Sequence, residues 1–165
     1  MRERFTVGAR SAIRQACAEA ERFEHRFVDT EHLLLGLISE GEAPAVVTLT
    51  RLGVPLETVR DDLERVLAAD LPDHVEEGFT DRARRVLALA AEEARELGHR
   101  QIGIEDLFLG ILRDGETAAA RILAEFLGGP RSRIPVAILD LLARSPRWLA
   151  GTRRGLLAPA ASRLG

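Results

Sequence analysis

Residues 27–42 read FVDTEHLLLGLISEGE, and residues 101–116 read QIGIEDLFLGILRDGE. The second stretch lies 74 positions after the first, and each keeps a glutamate, Glu31 or Glu105, ahead of an apolar run. The repetition continues upstream in the same register. FTVGARSAIRQACAEAERFEHR at 5–26 matches FTDRARRVLALAAEEARELGHR at 79–100. Between 5–52 and 79–126, 17 of 48 positions are identical without a gap. Unrelated segments would match far less often, so the chain is an internal duplication. Beyond Leu52 and Phe126 the register slips by one near LGGP. Val59, Leu63, Val66 and Leu67 then correspond to Ile134, Ile138, Leu141 and Leu142.

Each copy reads as four helices. Thr6 is a good N-cap for the first, whose apolar positions Ala9, Ile13, Ala16, Cys17 and Ala20 fall on one helical face. The second copy repeats that face with Ala83, Leu87, Ala90, Ala91 and Ala94. Thr30 is the expected cap of a short second helix, with Gly41 as its stop. A third helix is expected over 43–52. After GVP, a fourth follows over 56–68. The fold class is therefore all-α, with eight helices in two four-helix repeats related by a pseudo-twofold axis. Repeat 1 spans about 3–68, a linker 69–78 and repeat 2 about 79–144, together one domain over 1–144. The proline-, glycine- and arginine-rich stretch 145–165 reads as a C-terminal extension.

Composition narrows the function classes. The chain has 165 residues, 46% hydrophobic and 30% charged, which suits one folded domain. All 23 basic residues are arginine, so the lysine of a Walker A loop is missing and Schiff-base chemistry is excluded. The net charge is -3 and no basic stripe interleaves with aromatics, which argues against nucleic acid. Cys17 is the only cysteine and reads as a buried small residue, so neither a disulfide nor a zinc cluster is expected. His25, His32 and His99 show no metal-ligand spacing, and no nucleophile-elbow pattern occurs. No cofactor, metal or enzyme activity is expected. No segment has the length of a membrane span or the core of a signal peptide, which points to the cytoplasm.

The repeated residues also carry a family resemblance. FT..A followed by HR, a pair such as VDTEH or IGIED, and LLLGLI or LFLGIL before GE is similar to the Clp repeat. This is the duplicated N-terminal domain of the Clp unfoldases, here nearest the ClpC type. It covers about residues 3–143, and two copies of a long gapped motif make it specific. The resemblance implies an all-α double repeat that receives clients and adaptors for an unfoldase ring, here without the ATPase module. It also implies a phosphoarginine-binding glutamate in each copy, which maps onto Glu31 and Glu105. A carboxylate accepts a guanidinium fork in bidentate fashion. By capping geometry, Thr6 and Thr80 stand at helix starts where hydroxyls and backbone N–H groups suit a phosphate. The helix dipole alone also selects a glutamate at such a position, so both readings stay open. Asp29, Glu24, Ile104 and Asp106 depart from the family pattern around these sites.

The function expected is a non-catalytic binding module of the Clp protease system. Its expected partners are Clp unfoldase or protease components, client proteins or adaptors. The resemblance adds N-domain-directed cyclic peptides, which would dock where Phe5 and Phe79 mark the first helix of each copy. The same phenylalanines also suit core or staple positions. The alternative is a regulatory or structural protein that oligomerises through its apolar helices or its tail.

Overall fold

The computed structural model describes residues 4–69, 77–129, 134 and 136–150, with the side chains of 145–150 excepted. Its helices are α1 (Val7–Arg22), α2 (Thr30–Ser39), α3 (Pro44–Arg51) and α4 (Leu56–Ala69), then α5 (Asp81–Glu96), α6 (Ile104–Asp114), α7 (Ala118–Phe126) and α8 (Val136–Ala150). Two short strands, β1 (Phe27–Val28) and β2 (Gly78–Phe79), complete the elements. Residues 70–76 of the expected linker and 151–165 of the extension lie outside the described residues. Helix α8 runs through the boundary expected at 144.

The repeat explains the packing. Helix α1 lies on α2, and α5 lies on α6 in the same way. The buried centre of α1 is an alanine stripe, Ala9, Ala12, Ala16 and Ala20, with Ile13 and Cys17 packed at its side. Small residues let the backbones approach, and the repeated glycine sets how closely. A Cβ on Gly36 would overlap the Ala12 carbonyl and sit 2.7 Å from Ala16 N. A Cβ on Gly110 would sit 2.8 Å from both Ala90 N and Val86 O. The glycine inside each apolar run is therefore a helix-crossing point. The flanking leucines, isoleucine and phenylalanine fill the core, with Leu34, Leu35, Phe108 and Ile111 fully buried.

The two halves join by exchange. Strand β1 pairs in parallel with β2, with Phe27 opposite Gly78 and Val28 opposite Phe79. Phe5 forms the matching bridge with Ile102. The segment before the second helix of each repeat thus pairs with the segment before the first helix of the other. Contacts between α3 and α8 mirror those between α4 and α7, as a pseudo-twofold axis requires.

Two helix ends differ from expectation. Asp29, not Thr30, is the N-cap of α2, because its carboxylate accepts from Thr30 N and Thr30 is already helical. Helix α2 ends with Glu40 as its cap, and Gly41 does not take up a left-handed conformation. Its counterpart Gly115 does, at φ 71°, and stops α6 in the expected manner.

Candidate functional site

Thr6 caps α1, its hydroxyl accepting from Ala9 N at 3.1 Å, and Thr80 caps α5 through Ala83 N at the same distance. Glu31 and Glu105 are buried in the first turns of α2 and α6. Strand exchange decides which threonine meets which glutamate. Thr6 N donates to Ile102 O, which brings the start of α1 beside the start of α6. Thr80 N donates to Val28 O, which brings the start of α5 beside α2. Each pocket is therefore composite, with the threonine of one repeat and the glutamate of the other.

The two pockets differ in what fills them. Thr6 and Glu105 line an open cleft of about 550 Å³, with Gly8, Ile104 and the turn from Ser39 to Ala45. At the other pocket, Thr80 Oγ1 donates to Asp29 Oδ1 at 2.9 Å, and the Arg82 guanidinium pairs with Asp29 Oδ2. The 74-residue register places Gly103 opposite Asp29 and Gly8 opposite Arg82. The open cleft thus lacks both members of the pair that fills its twin. Glu105 takes up part of the space, since a Cβ on Gly103 would overlap its carboxylate oxygens. Burial raises the Glu31 carboxyl above its ordinary value, and the nearby Asp29 charge adds to the effect.

Behind the glutamates sits a second difference. His32 Nδ1 accepts from Asp29 N at 2.9 Å, so a neutral His32 carries its proton on Nε2 and donates it to His25 Nδ1 at 3.0 Å. Burial and the neighbouring His25 hold the His32 pKa at about 4. In the second repeat, Asp106 Oδ2 accepts from Gly103 N at 2.9 Å, and His99 Nδ1 lies 2.9 Å from Asp106 Oδ1. His25 accepts at Nδ1, and His99 must donate there. Burial raises the Asp106 carboxyl above its ordinary value, against the pull of the Gly103 amide and His99. His99, Glu105 and Asp106 come within 4.8 Å of one another, a grouping that linear spacing did not reveal. The Asp106 oxygens are engaged with Gly103 and His99, and Glu105 Oε1 approaches the same His99 Nδ1 at 3.6 Å, so the grouping reads as a hydrogen-bonded Asp106–His99 pair with Glu105 beside it.

Of the remaining expected residues, Phe5 is buried in the core and Phe79 is half-buried. Cys17 packs against the core, and burial followed by the Glu21 charge pushes its thiol pKa up, the opposite of nucleophile activation. Among the described residues no single helix is long and apolar enough to cross a membrane. Among the same described residues, α2 and α3 pass the test of length and composition together, and they meet at a 90° bend.

The signature of the Clp repeat (R) N-terminal domain matches residues 4–126. The chain belongs to the Clp repeat N-terminal domain family. Its relatives include the ATP-dependent Clp protease ATP-binding subunit ClpA homolog CD4B, chloroplastic, of Solanum lycopersicum. That protein is 45% identical over 152 residues, covering 88% of this chain and 16% of the relative. Chaperone protein ClpC1, chloroplastic, of Arabidopsis thaliana is 44% identical over 162 residues, covering 94% of this chain and 17% of the relative. The chain thus spans about one-sixth of the length of these relatives. Two solved structures share the fold. The N-terminal domain of ClpD from Arabidopsis thaliana has a TM-score of 0.61 at 24% identity, covering 91% of this chain and 99% of that one. The Hsp104 N-terminal domain from Candida albicans has a TM-score of 0.66 at 19% identity, covering 88% of this chain and 92% of that one. This Clp-type domain is accordingly all-α, as its residue pattern implied.

Proposed function

We propose that this Clp repeat domain is a non-catalytic docking module of a Clp protease system, capturing client proteins or adaptors through the Thr6–Glu105 cleft. The observation that carries the reading is the cleft itself. It is open and composite, and a buried carboxylate stands on a rigid helix start beside a capping hydroxyl. That geometry suits a guanidinium, with or without a phosphoryl mark. The filled pocket at Glu31 and Thr80 is the weaker docking point, because Asp29 already takes the Thr80 hydroxyl. Of the two phenylalanines, only the half-buried Phe79 would be open to cyclic peptides directed at such domains, since Phe5 is in the core. The compartment is read as the cytoplasm, where an unfoldase ring would be the natural partner.

The test is fluorescence anisotropy with a labelled, permanently unfolded protein such as reduced, carboxymethylated lactalbumin. Saturable binding that falls about tenfold or more in Glu105→Gln, with unchanged helical circular dichroism, is expected. Binding that is absent, or indifferent to Glu105→Gln, would reject the cleft as the docking site. A second reading, regulatory self-association, is favoured by Val136 and Leu141, which stand 73% and 52% exposed on α8. Sedimentation velocity of a Val136→Ser/Leu141→Ser variant decides it: an assembly that survives the change excludes α8 as its contact.

A further inference from the structure

A second cleft opens at the C-terminal end of α5 and shares no lining residue with the one between Thr6 and Glu105. It holds about 470 Å³ and is lined by three arginines, Arg4, Arg95 and Arg100, beside the apolar Ala91, Ala94 and Ile102. Among the described residues no carboxylate lines it. The cleft is composite, because Arg4 comes from the first repeat. Ile102 N donates to Arg4 O at 2.7 Å and so pins Arg4 against the second repeat. Arg95 stands in the last turn of α5, and Arg100 follows in the turn toward α6. All three arginines are exposed, and none comes within 4.0 Å of a carboxylate among the described residues.

The nearby negative groups have to be weighed against these guanidiniums. The acids of α5 are turned elsewhere: Arg113 on α6 holds Glu92 and Glu96 at 3.3 Å and Glu93 at 3.5 Å. Glu105 and Asp106 are buried behind His99, whose Nδ1 lies 3.6 and 2.9 Å from them, and Asp106 also accepts from Gly103 N. The end of α5 supplies about half a negative charge. Its Glu93, Ala94 and Arg95 carbonyls already accept from Leu97, His99 and Gly98 N–H groups. A ligand entering the cleft therefore meets the three guanidiniums first. The internal register shows that the fold does not require them. Arg4, Arg95 and Gly98 correspond to Gly78, Glu21 and Glu24, and Arg26 is the counterpart of Arg100. Arg26 lies 3.8 Å from Glu77. The core positions beneath stay apolar in both copies, with Ala20 and Val28 matching Ala94 and Ile102. One half thus presents a basic face where the other presents an acidic one.

We infer that the Arg4–Arg95–Arg100 cleft docks an acidic segment of a protein partner through its aspartate or glutamate carboxylates. The inference goes beyond the docking reading of the Thr6–Glu105 cleft and does not depend on it. Each guanidinium offers a planar fork of donors that a carboxylate accepts in bidentate fashion. The small Ala91, Ala94 and Gly98 let a peptide backbone come close between the arginines. A protein segment fits better than a nucleic acid for two reasons. No aromatic residue lines the cleft to stack a base. The chain as a whole carries a net charge of -3, which opposes a long polyanion beyond the cleft but leaves a short acidic segment to the local arginines.

The experiment measures fluorescence anisotropy with a labelled octapeptide of alternating aspartate and glycine, its asparagine–glycine isostere, and a labelled single-stranded oligothymidylate of the same charge. The aspartate peptide should bind saturably, about tenfold or more tighter than the asparagine form at low salt. Its affinity should fall as salt rises. Arg95→Gln/Arg100→Gln should weaken it by about tenfold, with unchanged helical circular dichroism. Arg26→Gln, on the opposite half, should leave it as it is. No binding, or equal binding of the aspartate and asparagine peptides, overturns the inference. So does a loss in Arg26→Gln as large as that in the double variant, because the attraction would then be diffuse rather than local. Tighter, Arg95- and Arg100-dependent binding of the oligothymidylate overturns it in favour of a nucleic acid. Each of these outcomes leaves the test of Glu105→Gln with the unfolded protein unaffected.

Discussion

At the scale of single residues, the two copies solve the same local problems with different chemistry. Glu24 ends the turn after α1 at φ 58°, where its counterpart Gly98 sits at φ 72°. A left-handed conformation strains any residue with a Cβ, and Glu24 is exposed. Glu24→Gly is therefore expected to stabilise the fold by about 0.5–1 kcal/mol, read as a higher urea midpoint. His32 predicts an acid response. Its folded pKa of about 4 lies below the ordinary 6.5, so between these values the unfolded chain binds the extra proton. The stability it supports is fully present above pH 6.5 and is lost as pH falls toward 4. The raised Glu31 and Asp106 carboxyls act with opposite sign, favouring the folded state in acid and losing that effect as pH rises through their raised values. His32→Asn keeps an acceptor for Asp29 N but cannot titrate. Its urea midpoint should fall less than that of the unsubstituted chain between pH 6.5 and 4.

At the scale of elements, the crossing glycines carry the sharpest prediction. Gly36→Ala would force α2 away from α1, since the added Cβ meets backbone rather than a flexible side chain. A loss of about 1–3 kcal/mol is expected, with Gly110→Ala similar, measured by chemical denaturation. Thr6→Val should cost about 1 kcal/mol by removing the cap bond to Ala9 N. Much of this level was legible in the sequence. The period of Ala9, Ala16 and Ala20 gave α1, and Val59, Leu63 and Leu67 gave α4, because burial on one helical face imposes that spacing. The role of Gly36 was not legible, because an apolar run looks the same whether its glycine is filler or a contact between backbones. At the start of α2 the sequence points to Thr30 as the cap, and the structure has Asp29 there. Both Asp29 and Thr30 are good capping types, and only the backbone conformation separates them.

At the scale of the whole molecule, the site depends on pairings that no periodicity encodes. The sequence nominated Thr6, Thr80, Glu31 and Glu105, yet it could not show that Thr6 belongs with Glu105. The two-residue strands that enforce the match are too short to leave a pattern. A chain limited to residues 1–78 would lack the partner for Phe5 and much of the surface that covers α3 and α4. Such a half is expected to remain unfolded by circular dichroism, whereas the described pair of repeats unfolds as one cooperative unit.

Strand exchange has a consequence for how such a domain can diverge. Neither repeat owns a pocket; each holds one edge of both. A chimaera that takes one repeat from a different member of the family would inherit two hybrid pockets rather than one old and one new. Differences between the two pockets, such as Gly8 and Ser11 standing opposite Arg82 and Arg85 in the register, must therefore be accommodated across the seam by the other half.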